Sequence, residues 1–235
     1  PMSNWRAAVG DRDMQTEAKR LSVPILELRD VLGLTADIGI SVRFHQILKE
    51  EHLSRFRKGV VNLHGAPLPE YRGSIGNIMA ILDGSDYFGV SLHRMDAGID
   101  TGDLIAVERY PIAETDTAYD LFVRSNSIGL RLIRDRLLDI LEDRVVYESQ
   151  LDACRRMNCS PRTHYKKEAA ELKRVDAAMD SERIWTVTRA FQFPGQEPAY
   201  METPFGKVYL SIAGEETKSR KEQEGNHEYT GVNKR

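Results

Sequence analysis

The stretch Val60–Gly73, VVNLHGAPLPEYRG, joins a short apolar strand to a loop that contains two prolines. Its first residues have the length and the β-branched content of a strand that ends at His64. Asn62 and His64 stand two residues apart, so they share one side of that strand end. This pattern is typical of a place for chemistry, although two polar residues that only satisfy the loop would look the same.

Strands and helices alternate outward from this stretch. The residue patterns predict helices at 15–22, 47–56, 75–84 and 117–141. They predict further strands at 23–28, 36–42, 87–95 and 102–112. The alternation up to Leu141 predicts an α/β domain with a largely parallel sheet. In such sheets ligands bind outside the carboxyl ends of the strands, and Asn62 and His64 fall at such an end.

The segment 117–141 gives the clearest helical pattern of the chain. Thr117 and Asp120 have the spacing of a capping box at its start. Gly129 in its interior costs about 1 kcal/mol relative to Ala, so we expect close packing against a neighbouring element there. Residues at three- and four-residue spacing form one apolar face of this helix: Ala118, Leu121, Phe122, Ser125, Ile128, Gly129 and Leu132.

The character of the chain changes after Leu151. A helix is predicted at 181–192, and a hairpin at 199–214 with Pro204 to Gly206 at its turn. From about residue 215 the chain is almost entirely polar, which predicts a disordered or loosely held tail. We therefore predict a core domain over 1–151, a small α+β region over 152–214 and a polar tail over 215–235.

The composition is that of a soluble globular protein, with 41% hydrophobic and 29% charged residues in 235. A net charge of -3 argues weakly against a surface that binds nucleic acid throughout. No apolar run approaches the roughly 20 residues that span a bilayer, and no signal peptide is visible, so a cytoplasmic protein is expected. Cys154 and Cys159 are expected to be free thiols. A metal site with His164 would need a fourth ligand, so no metal is expected.

Asn62, His64 and Asp100 are the candidates for chemistry. An imidazole acts as acid or base near neutral pH, a neighbouring carboxylate fixes its tautomer, and an amide N–H stabilises an oxyanion. These groups together suit acyl transfer to an external amine or water, because no Ser or Cys is placed as a nucleophile. Asp100 lies in the glycine-containing loop MDAGIDTGD, where it could equally be a turn residue. The same loop could also bind a cation, but it lacks the spacing of an EF-hand.

The segments NLHGAPLPEYRG and GVSLHRMDAGIDTGDLI resemble the folate-dependent formyltransferase family over about residues 36–141. The resemblance implies a Rossmann-like core in which Asn62, His64 and Asp100 are catalytic. Asn62 and protonated His64 would stabilise the oxyanion, and Asp100 would orient His64 and assist proton transfer from the attacking amine. His93 would support the site without reacting.

The resemblance also implies the cosubstrate 10-formyltetrahydrofolate. Its pterin end would lie between the loops Phe44–Leu48 and Met95–Asp100, held largely by backbone groups. The small residues of the second loop suit a close approach to a flat ring. The cofactor-binding residues expected from these loops are Phe44, Ile47, Leu48, Asp96, Ala97 and Gly98. Family members also have a cis peptide at the position of Leu68–Pro69.

The segment RAFQFPGQEPAY and the hairpin that follows it resemble the small carboxyl-terminal region of sugar-nucleotide N-formyltransferases. This likeness implies that the acceptor is a nucleotide-linked amino-deoxy sugar such as dTDP-4-amino-4,6-dideoxyglucose, used in cell-surface glycan synthesis. Aromatic rings would stack on the base and an arginine would meet the pyrophosphate. The expected substrate-binding residues are Arg72, Asn77, Trp185, Arg189, Phe193 and Tyr200. At least two of the aromatic residues Trp185, Phe191, Phe193 and Tyr200 are expected to pack a small core instead.

Other functions remain open at this point. A methionyl-tRNA formyltransferase would carry a larger, basic carboxyl-terminal domain, and a glycinamide ribonucleotide formyltransferase would end soon after the long helix. A hydrolase would pass the formyl group to water. A non-catalytic relative could keep only a folate or nucleotide pocket. A homodimer formed through the carboxyl-terminal region is implied by the resemblance alone.

The start of the chain departs from the family. The sequence opens without the hydrophobic strand and helix that usually place the first strand of the core. The loss of a central strand would expose unpaired edges, so an earlier start, another segment or subunit that fills the gap, or an altered fold is expected.

Overall fold

The computed structural model describes residues 12–44 and 46–213. Its strands are β1 (Gly39–Val42), β2 (Val60–His64), β3 (Arg72–Gly73), β4 (Tyr87–Arg94), β5 (Leu104–Pro111), β6 (Thr163–His164), β7 (Arg174–Val175), β8 (Tyr200–Thr203) and β9 (Gly206–Tyr209). Its helices are α1 (Arg12–Arg20), α2 (Glu50–Leu53), α3 (Gly76–Leu82), α4 (Ala118–Leu141), α5 (Gln150–Met157), α6 (Ala169–Leu172) and α7 (Ser181–Ala190). Short 3₁₀ helices cover Leu28–Gly33 and Lys166–Glu168.

These residues form two compact units. The first contains the described residues up to Ser74 together with Gly89–Tyr110 and Ser125–Thr163. The second contains Ile75–Phe88, Pro111–Arg124 and the described residues from His164 onward. The predicted domain boundary at residue 151 stays a prediction, and the predicted tail at 215–235 lies outside the described residues, as does the unusual chain start.

The main sheet has four strands in the order β1-β2-β4-β5. Strand β1 runs parallel to β2, and β4 runs antiparallel to β2. The predicted α/β class is confirmed, and the described sheet is mixed. The antiparallel register matters for the site, because it places Asn62 of β2 directly opposite His93 of β4.

The sequence-based boundaries hold for most elements of this sheet, but not before β1. The strand predicted at 23–28 is wrong: the segment is a loop, with one bridge residue at Ile25, that leads into a 3₁₀ helix. Its apolar side chains are only half-buried, so their hydrophobic pattern does not reflect a place in the sheet. The helix predicted at 47–56 is also much shorter, since only Glu50–Leu53 is helical.

Helix α4 packs on one face of β2, and Gly129 is a point of close packing, as the sequence predicts. The Thr117 hydroxyl accepts from the Asp120 N–H at 3.2 Å, and the Asp120 carboxylate accepts from the Thr117 N–H at 2.8 Å. This is the predicted capping box. A Cβ added at Gly129 would lie 2.8 Å from Cδ2 of Leu63. Gly129 thus permits the helix to approach the strand, and the core of the first unit forms around this contact: Val61, Leu63, Val90, Leu92, Leu132 and Ile140.

Gly129→Val is expected to lower the free energy of unfolding by about 1–3 kcal/mol, because its side chain overlaps Leu63 in a packed core. Urea unfolding followed by circular dichroism measures this change. The matched control is Leu130→Val, which places the same β-branched residue in the same helix at a side chain that is 62% exposed. Equal stability of the two variants would contradict close packing at Gly129.

The second unit contains the carboxyl-terminal elements. Helix α3 packs against α7, and β8 and β9 form the predicted hairpin next to β7. Phe191 and Tyr200 are buried, which confirms that part of the aromatic set packs a small core. Among the described residues, none of the helices combines the length and the apolar character that crossing a bilayer requires.

Candidate active site

The site is built on the face of β2 that is opposite to α4. Because side chains alternate along a strand, Leu63 points to Gly129 and the core while Asn62 and His64 share the other face. His93, the cross-strand partner of Asn62, lies on this same face. Three polar side chains are therefore grouped on one face of the sheet.

His64 is fixed by a backbone contact that also sets its tautomer. Its Nε2 lies 2.7 Å from the carbonyl oxygen of Tyr71, so Nε2 carries a hydrogen and donates. The other ring nitrogen, Nδ1, lies 3.5 Å from Oδ2 of Asp100. In the neutral ring Nδ1 is an acceptor that carries no hydrogen, and protonation of Nδ1 would direct a donor toward the Asp100 carboxylate. The imidazole is therefore placed to take up a proton on the side of Asp100.

His93 connects the amide of Asn62 with Asp100. Its Nδ1 lies 3.0 Å from the carbonyl oxygen of Arg94 and donates to it. Its Nε2 then accepts from Nδ2 of Asn62 at 3.1 Å and lies 3.5 Å from Oδ1 of Asp100. The ring is buried, which agrees with the supporting role expected from the sequence. The amide of Asn62 has two N–H groups, so the second can be directed at a substrate oxygen.

Asp100 reaches this group from a loop with an unusual backbone. Its φ of 52° lies in the left-handed region, which Asp tolerates better than most residues. One carboxylate oxygen accepts from the N–H of Gly73 at 2.8 Å. Within the loop, the Asp96 carboxylate accepts from the Gly98 N–H at 3.0 Å and from the Thr101 hydroxyl at 2.6 Å. These bonds hold the loop in the shape that presents the Asp100 carboxylate to both histidines.

The charges of the site follow from burial and proximity. Burial lowers the pKa of His64 below its usual 6.5, and the Asp100 carboxylate and the Tyr71 carbonyl only partly oppose this effect. For Asp100 burial acts in the raising direction, but the neighbouring imidazoles of His93 and His64 and the Gly73 N–H together lower its pKa. At neutral pH the site therefore holds a carboxylate and a mostly neutral His64, which is a base ready to accept a proton.

The two loops expected to bind folate belong to the first unit. The loop after β1 leaves the sheet at the same edge as His64, because β1 and β2 are parallel. Phe44 and Leu48 are half-buried, Ile47 is exposed, and His45 lies outside the described residues. In the second loop, Asp96, Ala97 and Gly98 are exposed. Folate binding by these residues stays a prediction.

The expected substrate-binding residues fall in both units. Arg72 lies in the first unit, where its Nε donates to Oε1 of Gln150 at 2.9 Å. The other five belong to the second unit: Asn77, Trp185, Arg189, Phe193 and Tyr200. Inside that unit, the indole N–H of Trp185 donates to the Glu114 carbonyl at 3.3 Å, and Nη1 of Arg189 donates to the Asp116 carbonyl at 3.0 Å.

The remaining residues of the second unit have structural contacts. Phe193 packs edge-on against Tyr119 and Phe122, with ring centroids 5.3 and 5.1 Å away. Asn77 donates to the Ala118 carbonyl at 2.9 Å at the start of α4. Tyr200 is buried below the Lys207 ammonium, which lies 3.8 Å from its ring centroid. Trp185 is the most exposed of the predicted aromatic residues, at 39%.

Sequence reasoning missed several backbone and side-chain contacts that shape the site. The Tyr71 carbonyl and the Gly73 N–H hold His64 and Asp100 from within the quoted stretch itself. The cis peptide at Leu68–Pro69, expected from the family resemblance, is present. Ser91 fixes that loop, because its buried hydroxyl accepts from the Leu68 N–H and donates to the Ala66 carbonyl. Gln150 was also missed, since no local pattern marks it.

The grouping of Asn62, His64 and Asp100 suits acyl transfer, and the family found by comparison with known proteins has chemistry of this class. The family described as formyl transferase matches residues 25–136. This part of the chain is similar to the formyl transferase domain. The family resemblance expected from the sequence is thereby confirmed.

The particular relatives carry different substrate names. A methionyl-tRNA formyltransferase of Coxiella burnetii is 32% identical over 86% of this chain and 63% of its own length. One of Pseudoalteromonas translucida is 30% identical over 70% of this chain, and the match spans only 49% of that relative. A Helicobacter canadensis N-formyltransferase, solved with folinic acid and dTDP-3-aminofucose, is 27% identical with a TM-score of 0.67, covering 76% of this chain and 63% of that one.

Proposed function

We propose that this chain transfers a formyl group from 10-formyltetrahydrofolate to the amino group of a nucleotide-linked amino-deoxy sugar. The observation that carries the proposal is the grouping of Asn62, His64 and Asp100 within a formyl transferase domain. The donor set fits the formyl end of such a cosubstrate, because it supplies an amide donor, a base and a half-buried carboxylate.

Each side chain has a role in the proposed transfer. Asn62 donates its second N–H to the formyl oxygen as that oxygen becomes negative. Neutral His64, backed by Asp100, accepts the proton that the attacking amine loses. The imidazolium formed in this way is stabilised by the carboxylate 3.5 Å from Nδ1, and it adds a positive charge near the oxyanion.

The overall change is balanced without a redox step. A bond forms between the amine nitrogen and the formyl carbon, and the bond from that carbon to the folate nitrogen breaks. The proton taken up by His64 and Asp100 passes to the departing nitrogen. The sequence-based proposal began with a protonated His64; the lowered pKa favours a ring that becomes protonated during the reaction.

The choice of a sugar nucleotide as acceptor has two supports. The Helicobacter canadensis relative was solved with dTDP-3-aminofucose, so one similar protein binds such a ligand. In the second unit, the half-exposed Trp185 offers an aromatic face and Arg189 a cation on the same side of α7, four residues apart. A ring and a cation at this spacing suit a base and a pyrophosphate. The identity of the base, the position of the amine and a homodimer stay predictions.

Methionyl-tRNA is the second candidate acceptor. It is favoured by the names of the curated relatives, two of which are 30% and 32% identical to this chain. The formyl transferase domain and its three catalytic candidates serve both acceptors equally well, so the acceptor must be tested directly.

Mass spectrometry with a set of acceptors tests the substrate. The protein is incubated with 10-formyltetrahydrofolate and, in parallel, a dTDP-amino-deoxy sugar, initiator methionyl-tRNA and glycinamide ribonucleotide. We expect the gain of one formyl group on the sugar nucleotide, absent without protein. Formylation of the tRNA alone would overturn the sugar proposal and leave the chemistry of the site intact.

A further inference from the structure

Gln150, the first residue of α5, is buried beneath the Asp100 loop. Its amide nitrogen lies 2.7 Å from the backbone carbonyl of Asp100 and 2.8 Å from that of Gly102, and it donates to both. Its amide oxygen accepts from Nε of Arg72 at 2.9 Å. One side chain therefore connects the carboxylate-bearing loop with Arg72, across 50 and 78 residues of sequence.

The hydrogen bond from Gln150 to the Asp100 carbonyl also affects the position of the Asp100 carboxylate. Asp100 adopts a left-handed backbone, which is sparsely populated and persists only where the surroundings fix it. The Gly73 N–H fixes the carboxylate, and Gln150 fixes the carbonyl of the same residue. Backbone and side chain are thus held from two sides, and rotation of the peptide would move the carboxylate away from His64 and His93.

The second contact of the Gln150 amide, with the Gly102 carbonyl, is also fixed by its surroundings. A Cβ at this position would lie 1.8 Å from the Arg94 carbonyl, so the loop closes directly onto the end of β4. The carbonyl of Gly102 then points to Gln150. An amide is the neutral side chain that can donate to two carbonyls and accept from an arginine at the same time. The residue type matches every partner around it.

We infer that Gln150 is a positioning residue for the proposed formyl transfer. It holds the Asp100 carboxylate opposite His64 and links that position to Arg72. The inference rests on the proposed function for its kinetic effect only. The position of Asp100 relative to His64 is a property of the ligand-free protein and is measured without any substrate.

Gln150→Glu is the test variant. Glutamate keeps the size and the acceptor for Arg72, but it replaces the two N–H donors with an oxygen that repels the carbonyls of Asp100 and Gly102. We expect kcat to fall about 10²-fold, the loss typical of a small displacement of a reacting group, with KM for the folate nearly unchanged. We also expect the pKa of His64, followed by NMR titration of its ring proton, to fall further, because the Asp100 charge that raises it moves away.

Two further variants make the test decisive. Gln150→Met fills the same space without a charge and carries the experiment if Gln150→Glu does not fold. Leu151→Ala, on the same helix at a side chain that is 62% exposed, is the matched control and should keep wild-type kinetics. Wild-type kcat and an unshifted His64 pKa in a folded Gln150 variant would overturn the inference. An inactive wild type with a His64 pKa that shifts in the variants would instead reject the proposed function and retain the positioning role.

Discussion

His64→Gln is expected to lower kcat for formyl transfer by about 10²–10⁴-fold, the range that a positioned acid–base group supplies. Glutamine is the informative replacement, because its amide nitrogen can still donate to the Tyr71 carbonyl that Nε2 contacts. It cannot supply Nδ1, the atom that faces Asp100. The substitution thus removes the proton acceptor while it keeps the contact that anchors the side chain.

The control for this variant is another buried histidine of the first unit. His52 accepts from the Lys49 N–H through Nδ1 at 3.2 Å and lies on α2, outside the candidate site. His52→Gln should leave kcat within a few-fold of wild type. It also measures how much the replacement of a buried imidazole lowers thermal stability. Steady-state kinetics and thermal unfolding of both variants compare the two positions. Full activity in a folded His64→Gln variant would remove His64 from the mechanism.

Asp100→Asn is expected to lower kcat by about 10²-fold or more. Asparagine tolerates the left-handed backbone at φ 52° and can still accept from the Gly73 N–H, so the loop is preserved. The negative charge that stabilises the imidazolium is lost. Because Asp100 raises the pKa of His64, its neutralisation should also lower that pKa further.

The pH dependence gives this prediction a second readout. In the wild type, kcat/KM should rise as pH increases through the His64 pKa, which lies below 6.5, and then level off as the ring becomes neutral. In Asp100→Asn this rise should move to lower pH while the plateau falls. Asp143→Asn is the matched control, since Asp143 is an exposed aspartate with φ 58°. An unchanged plateau in Asp100→Asn would contradict the role of the carboxylate.

The parts of the site that rest on local periodicity could be predicted from the sequence. Alternation along 60–64 places Asn62 and His64 on one face of the strand, and the helical spacing with Gly129 predicts close packing of α4 against a neighbouring element, which is Leu63 of β2. Both follow from short-range geometry that every strand and helix shares. The capping box of α4 belongs to the same class, because Thr117 and Asp120 are three residues apart.

The contacts between distant segments could not be derived in this way. Asp100 was a candidate from its residue type and its glycine-containing loop, but only the family resemblance distinguished it from a turn residue, since a loop aspartate has no periodic pattern to identify it. Gln150 lies 50 residues from Asp100, whose carbonyl it contacts. The sequence around it has the pattern of an ordinary polar helix start, so nothing local distinguishes it. The strand prediction at 23–28 was wrong because a short run of hydrophobic residues that are half-buried in a loop has the same local pattern as a short strand.

The most direct measurement follows the formyl carbon itself. The protein is mixed with 10-formyltetrahydrofolate labelled with carbon-13 at the formyl group and with a dTDP-amino-deoxy sugar, and the carbon signal is recorded by NMR for the wild type and for His64→Gln. The label should appear as a formamide on the sugar nucleotide with the wild type and remain on the folate with the variant. Appearance of the label as free formate would show transfer to water, and an equal formamide signal with the variant would show that chemistry occurs without His64; either result would contradict formyl transfer at this site.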